Sequence, residues 1–252
     1  MATSISFTPR LALASLSGEA DSDWARAGAA SAGAAFLGGI ALDTASRAAA
    51  RKLVDRERTE FLPDDPLAFV DRELEALEDA PVQPAFNVRS ATAEPIAEAA
   101  RVCRDRGAYL EINAHCRQAE LCAVGCGETL LRDGDRLADY VARASDTGAL
   151  VGVKVRAEVP GVDLPALSQR LERAGAAFVH VDAMDSESVI ADVVAATDLF
   201  VIANNGVRDE ETVREYVAYG ADAVSVGRPS DDPVVLERVR DAVERRLGIE
   251  AN

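Results

Sequence analysis

The feature that most restricts this chain is a recurrence. Short runs of Val, Ile, Leu and Ala return eight times, each followed by a longer charged segment whose apolar residues keep helical spacing. Such runs, bounded by Gly, Asp or Pro, read as parallel strands covered on both faces, because a strand buried on both sides has no polar face to alternate with. They are Arg10–Leu16, Ala34–Leu42, Val82–Val88, Tyr109–Asn113, Ala149–Arg156, Ala177–Val181, Leu199–Ala203 and Ala223–Val226. Between them, helices are expected from Trp24 to Ala30 and, after an Asp43 or Thr44 cap, from Ala45 to about Glu57. Further helices are expected over Leu67–Leu77, Glu94–Arg106, Asp135–Ala144, Leu164–Ala174, Ser186–Ala195, Asp209–Tyr219 and Asp232–Leu247. Eight βα units in 252 residues predict an α/β fold, a single-domain (β/α)8 TIM barrel over residues 1–252. An open doubly wound sheet is the competing architecture, and the count of eight favours closure.

Charge narrows the partners. There are 27 basic and 43 acidic residues, a formal balance of −16, and only Lys52 and Lys154 of the basic set are lysines. Few lysines, many acids and much alanine suggest a halophilic protein, kept soluble at high salt by its acidic surface. The same charge works against nucleic-acid binding in dilute salt, where phosphate recognition wants a basic face. In molar salt the screening length falls to about 3 Å and the repulsion fades.

The first ten residues have no apolar core of a secretory leader, and the longest uncharged run, Ala27 to Leu42, is 16 residues of mostly Ala and Gly. A bilayer span needs about 20. A cytoplasmic protein without a membrane partner is therefore expected. Four cysteines are too few for a disulfide framework, which fits a reducing compartment.

Chemistry concentrates where the apolar runs end. Tyr109–Asn113 stops abruptly in Asn113, His115 and Cys116, groups that can hydrogen-bond, bind metal or carry a proton. Ser15, Asn87, Lys154, Arg156, Asp182, Asn204, Asn205, Gly206, Gly227 and Arg228 lie at or just past other strand ends. In a barrel those tips converge on one face, so residues far apart in sequence share a site. Lys154 is the sharpest of them. It stands inside Val151–Val155, where an unpaired charge is costly, in a chain that otherwise prefers arginine. A compact ammonium balancing an anionic ring would explain it; a lysine snorkelling from the strand's end is the plainer reading. Gly206 and Gly227, with Asn205 and Arg228, fall in the two loops that commonly cradle a phosphate.

On these residues the chain resembles the tRNA-dihydrouridine synthases, within the wider group of FMN barrels that includes dihydroorotate and dihydropyrimidine dehydrogenases. The likeness runs over nearly the whole chain. Pro9–Leu16 with Asp21 is similar to the opening strand and flavin-contacting loop, with Ser15-Leu16 where that family usually has Pro-Met. Asn113-Ala-His-Cys116 is similar to the Asn-x-Gly-Cys motif of the catalytic cysteine, and Gly125–Leu131 to the glycine-rich segment that follows it. Val153–Arg156 is similar to the Lys-x-Arg strand whose lysine contacts the flavin ring. Asn205-Gly206 and Gly227-Arg228 are similar to the FMN phosphate motifs.

The chain also departs from that pattern. His115 replaces the glycine before the cysteine and Arg117 the proline after it; Asn87 stands where the family usually has Gln; the strand-six His falls on Asp182. The family's C-terminal helical tRNA-binding domain has no counterpart before residue 252.

The resemblance implies FMN held by Ser15, Leu16, Asn87, Asn113, Lys154, Asp182, Asn205, Gly206, Gly227 and Arg228. It also implies reduction of the C5=C6 bond of a uracil ring, in tRNA or as a free pyrimidine. NADPH would be the reductant and Cys116 the proton donor, with His115 and Lys154 beside it. Two other readings stay open. Cys116, Cys122 and Cys126 with His115 could hold a metal, although the C-x5-C-x3-C spacing matches no common zinc or ferredoxin pattern, and no metal ligand is assigned. The chain could also be a barrel subunit that binds flavin without turnover. His180, two residues before Asp182, reads as a satisfied core histidine directed away from the site.

Overall fold

The structure, a computed structural model, describes residues 4–248. Eight parallel strands close into one barrel in sequential order. They are β1 (Leu11–Leu13), β2 (Ala34–Ala41), β3 (Gln83–Arg89), β4 (Tyr109–Asn113), β5 (Val151–Arg156), β6 (Phe178–Asp182), β7 (Phe200–Asn204) and β8 (Ala223–Val226), with β8 pairing back onto β1. The expected closed barrel is thus present within the described residues; positions 1–3 and 249–252 of the expected span lie outside them.

Helices cover the outside: α1 (Ser22–Gly28), α2 (Thr44–Val54), α3 (Pro66–Glu75), α4 (Ala93–Asp105), α5 (Ala119–Ala123), α6 (Glu128–Arg132), α7 (Gly134–Ser145), α8 (Leu164–Arg173), α9 (Val189–Ala196), α10 (Glu210–Ala218) and α11 (Pro233–Leu247). Part of the acidity of the chain is spent on starting them. Asp21, Asp43, Asp65, Asp133, Asp163, Asp209 and Asp232 each accept a backbone N–H of the first turn they precede. Caps of this kind each contribute about 1 kcal/mol.

Side-chain parity splits each strand between two environments. Outward residues such as Leu11, Leu37, Phe86, Leu110, Val153, Val179, Val201 and Val224 join the helices in one large core. Inward residues at the N-terminal end, among them Ala12, Phe36, Ala85, Tyr109, Phe178, Ile202 and Ala223, form a second apolar cluster that plugs the barrel floor, together with Ile5 and Phe7. Gly152 of β5 belongs to that level, and a Cβ there would collide with the Phe178 ring, so the glycine makes room for the plug. Further along, the inward positions turn polar. Asn87, Glu111, Lys154, His180 and Ser225 are buried above the plug, and Arg89, Asn113 and Arg156 are buried nearer the C-terminal rim.

Two local expectations change. The first strand is three residues long, not the seven of Arg10–Leu16: after Ala14 donates to the Val226 carbonyl, the chain leaves the barrel wall and Ser15–Ser17 becomes a rim loop. Two short helices, α5 and α6, follow β4 where only a site loop is expected. The glycines between them, Gly125 (φ 88°) and Gly127 (φ 57°), break the helical pattern in sequence and reverse the chain in space.

Candidate functional site

The site is built on the end of β4. Asn113 is the last residue of the strand, and its side-chain oxygen turns back to accept the backbone N–H groups of Cys116, at 3.2 Å, and of His115, at 3.4 Å. An Asn closing a turn onto its own following backbone is a local device that needs no distant partner. The Cys116 carbonyl is pinned from the other side: it accepts the Glu128 N–H at 2.9 Å and the Cys122 thiol at 3.4 Å. Gly127 makes this possible, because a Cβ at that position would strike the Cys116 carbonyl oxygen. The glycine-rich segment therefore clamps the cysteine turn.

Beneath the turn runs a hydrogen-bonded chain that crosses the barrel. Asn113 donates to Asn87 at 2.9 Å, and Asn87 donates to Glu111 at 2.5 Å. Glu111 meets His180 Nδ1 at 2.6 Å; His180 Nε2 meets the Ser225 hydroxyl at 2.7 Å; Ser225 accepts from Asn204 at 2.8 Å. Burial alone would raise the Glu111 carboxyl, but His180, Lys154 and Asn87 hold it below the ordinary carboxylate range. Burial and the Lys154 charge push the His180 imidazole down, so it stays neutral. A neutral His180 then carries its proton on Nδ1 toward Glu111 and accepts the Ser225 hydroxyl on Nε2. Every donor in the chain thus points, from both directions, at one carboxylate.

Lys154 is 3% exposed and makes neither ion pair nor side-chain hydrogen bond among the described residues. Desolvation lowers its pKa, and the attraction of Glu111 and Asp182 only partly offsets that. It lies in register with Asn113 on one side and His180 on the other. Cys116 and Lys154 therefore belong to the same end of the barrel.

Two adjoining cavities open at this rim and share Arg117, Asp182 and Arg228. The smaller, about 330 Å³, is lined by Ser15, Asn113, His115 and Cys116 along with Arg58, Arg89 and Arg156. Burial, and then the charges of Lys154, Arg89 and Arg156, hold His115 well below its ordinary pKa; its Nδ1 lies 3.8 Å from Asp182. The larger, about 770 Å³, is walled by Asn204, Asn205, Gly206, Ser225, Gly227 and Arg228. A Cβ at Gly206 or Gly227 would meet nothing within 4 Å, so at both corners bare backbone faces open space.

The structure brings together Ser15, Asn113, His115, Cys116, Asp182, Asn205, Gly206, Gly227 and Arg228 around these cavities, with Lys154 buried below them. Leu16 lines neither: it holds the loop instead, its carbonyl accepting from Glu19 and Ala20. Asn87 is fully buried, and its amide serves Glu111 and Asn113. His180 faces the same interior as Asp182, because residues two apart in a strand share a side; the expectation that it points away is corrected. Glu111 carries no assigned role in the sequence reading, yet it is the hub of the buried chain. The available signal is an acid inside an apolar strand at the inward parity. Among the described residues no three His, Cys, Asp or Glu side chains are grouped as a metal site would need, and no helix is long and apolar enough to cross a membrane.

These features define the class: a closed eight-stranded α/β barrel whose polar, cation-lined C-terminal rim opens in two cavities beside a clamped cysteine. The dihydrouridine synthase (Dus) family model matches residues 68–248, and the chain belongs to that family, a family of FMN TIM barrels. Among curated proteins, one from Methanocaldococcus jannaschii, described as uncharacterised, is 24% identical over 232 residues, covering 87% of this chain and 88% of its own length. Solved structures share the fold at lower identity. A FabK mutant from Thermotoga maritima superposes with a TM-score of 0.58 at 14% identity, over 88% of this chain and 61% of that one. The 3-hexulose-6-phosphate synthase of Salmonella typhimurium gives 0.55 at 16% identity, over 94% and 97%.

Proposed function

We propose that the chain is an FMN-dependent oxidoreductase that reduces the C5=C6 bond of a uracil ring, with Cys116 as proton donor. The observation that carries this reading is a convergence. One side chain, Asn113, holds the backbone of Cys116, while its own position in β4 is paired with Lys154, a buried and unpartnered ammonium. The residues present fit the cofactor. Gly206 and Gly227 leave backbone open to a phosphate beside Arg228, and Lys154 supplies a positive charge that Glu111 and Asp182 offset only in part and that no ion pair or hydrogen bond among the described residues meets. When bound, FMN supplies hydride chemistry.

The chain's own residues then have separable tasks. Asn205, Gly206, Gly227 and Arg228 bind the phosphate end. Lys154 would stabilise negative charge on the flavin ring, an electrostatic role that a low-dielectric site strengthens. Saturation of the bond takes a hydride at C6 and a proton at C5; Cys116 gives the proton and regains one from solvent. His115, held neutral, lines the same cavity and offers a hydrogen bond to a ring carbonyl. NADPH is the proposed source of electrons.

The test is the visible spectrum of the purified protein. Flavin absorption that NADPH bleaches and that uracil or a uridine-containing RNA restores, with dihydrouracil as product, supports the proposal. Protein that neither carries nor binds FMN would sink it. A bound flavin that NADPH and other reductants leave unchanged would instead favour a non-redox flavin-binding subunit.

A further inference from the structure

We propose that the substrate is a small oxyanion, a ring bearing a carboxylate or phosphate group, gripped in the cavity beside Cys116 by Arg58, Arg117 and Arg156. The inference rests on the reading of the rim as a flavin site only in assigning the larger cavity to the cofactor. The smaller cavity is lined by five arginines, Arg58, Arg89, Arg117, Arg156 and Arg228, against two carboxylates, Glu60 and Asp182. That excess of positive charge sits in a chain whose formal balance is −16.

Elsewhere many of the arginines are tied to acids. Arg106 alone reaches Asp71, Glu75 and Glu78, and Arg245 and Arg246 share Glu210. At this cavity the pairing is thinner. Arg89 is committed to Glu60 and the Ser17 hydroxyl, but Arg58 and Arg117 make no ion pair and no side-chain hydrogen bond among the described residues. Arg156 is 5% exposed; its nearest carboxylate, Glu128, is 4.0 Å away, and its Nε is buried without a partner. A buried guanidinium left under-satisfied costs stability. It is the kind of local conflict that folded chains carry where a ligand completes the structure.

Arg228 stands at the phosphate corner of the larger cavity, which leaves Arg58, Arg117 and Arg156 on the cysteine side. Guanidinium forks match the planar spread of a carboxylate or the oxygens of a phosphate. His115 adds no competing charge, since burial and the surrounding cations hold it neutral. A cavity of about 330 Å³ is near the small end of ligand sites, which run from about 300 to 1,000 Å³. It has room for one ring and a substituent. An RNA strand, in contrast, would meet its cations spread along a track over the surface, not converging within one cavity of an acidic protein.

The experiment is a titration of the protein as purified, at moderate and at high salt, read by perturbation of flavin absorbance and by thermal shift. The probes are orotate, uridine monophosphate, uracil, uridine and a short uridine-rich RNA. Orotate or uridine monophosphate binding at least tenfold tighter than its neutral counterpart supports the proposal, and the winner tells carboxylate from phosphate. Arg117→Gln and Arg58→Gln, both exposed and unpaired, should each remove most of that preference; Arg101→Gln, on the outside of α4, should leave it intact. Equal affinity for charged and neutral probes, or an RNA that outcompetes both anions, overturns it. The two readings fail separately. Arginine-dependent anion binding in protein without flavin would retain the anion site and reject the flavin site, and a flavoprotein blind to charge would do the reverse.

Discussion

The Glu111 carboxylate and the His180 imidazole meet at 2.6 Å in a contact with no exposed surface on either side chain. They come from β4 and β6, 69 residues apart in sequence, and β5 between them contributes Lys154. With His180 neutral, the nearby positive charge that keeps Glu111 ionised is Lys154, and the pair is less an ion bridge than the fixed centre of a polar chain. That chain has one sense throughout. Asn204, Ser225 and His180 donate inward from one side, and Cys116, Asn113 and Asn87 from the other.

One sense means that, on the Asn87 side, one error is passed along the chain and not absorbed locally. In Glu111→Gln the new amide turns its oxygen to His180 and its NH2 to Asn87, which is itself a donor there. Flipping Asn87 moves the conflict to Asn113, and flipping Asn113 moves it to the Cys116 N–H. The variant is expected to lose about 1–3 kcal/mol of stability, the cost of one unsatisfied buried donor, and to lose turnover through a loosened cysteine turn. Adding Asn87→Asp should restore much of both, because a carboxylate at position 87 accepts from both neighbours. A double-mutant cycle in chemical denaturation measures the coupling; a strictly additive result would refute the one-way chain.

The chain has two histidines, His115 and His180, and both have lowered pKa values in the fold. A histidine held neutral when folded binds fewer protons than its unfolded counterpart below about pH 6.5. Stability contributed this way is intact above that pH and is lost as pH falls. Each fully effective group steepens the loss by about 1.4 kcal/mol per pH unit. Glu111, lowered in the opposite chemical sense, adds its own loss only below the carboxylate range near pH 4.3. Denaturant midpoints should therefore start to drop between pH 6.5 and 5, before most carboxylates titrate. His180→Gln, compared at the same salt, should show a shallower slope in that interval.

How much of this the sequence discloses follows from what each residue has to meet. The barrel is legible because outward strand positions are mostly Val, Leu and Ile and because five strands, β3 to β7, end in a polar residue; β4 and β8 fall where the apolar runs place them. The cysteine turn is legible because Asn113, Cys116 and the Gly125–Gly127 segment are local. β1 is overestimated, since Ala14 keeps one ladder bond while Ser15–Ser17 continues an apolar-looking run over the rim. Glu111 is hidden inside a run read as apolar. Its partners Asn87 and His180 are set by barrel closure and register, which no window of sequence contains.

Lys154 offers a test that separates stability from ligand binding. Its pKa is lowered even after the attraction of Glu111 and Asp182 is counted, so the folded, ligand-free protein is strained by its charge. Lys154→Met keeps the length and removes the charge. Thermal unfolding of the flavin-free protein should change little, because relief of a poorly compensated buried charge is set against loss of the cation that keeps Glu111 ionised. FMN affinity, followed by quenching of its fluorescence, should fall about tenfold or more, some 1.4 kcal/mol. A variant that loses stability and keeps its FMN affinity would mean that Lys154 serves the fold and not the cofactor.

The proton donor and its clamp can be separated by two substitutions at one turn. Cys116→Ala removes the thiol but leaves the backbone that Asn113 and Glu128 hold, so FMN should stay bound and the visible spectrum should not change. Turnover should fall by about 10²–10⁴-fold, the usual worth of a positioned acid. Gly127→Ala keeps the thiol but sets a Cβ against the Cys116 carbonyl at a backbone angle, φ 57°, that side chains rarely adopt. The turn must shift, and a shift of about 1 Å at a reacting group is worth about 10²-fold in rate. The two variants differ in their response to pH. Gly127→Ala retains an acid group and should keep the shape of the wild-type rate profile at a lower level. Cys116→Ala should lose whichever limb reports the thiol. Full turnover in Cys116→Ala would remove the cysteine from the chemistry and leave the clamp as a purely structural turn.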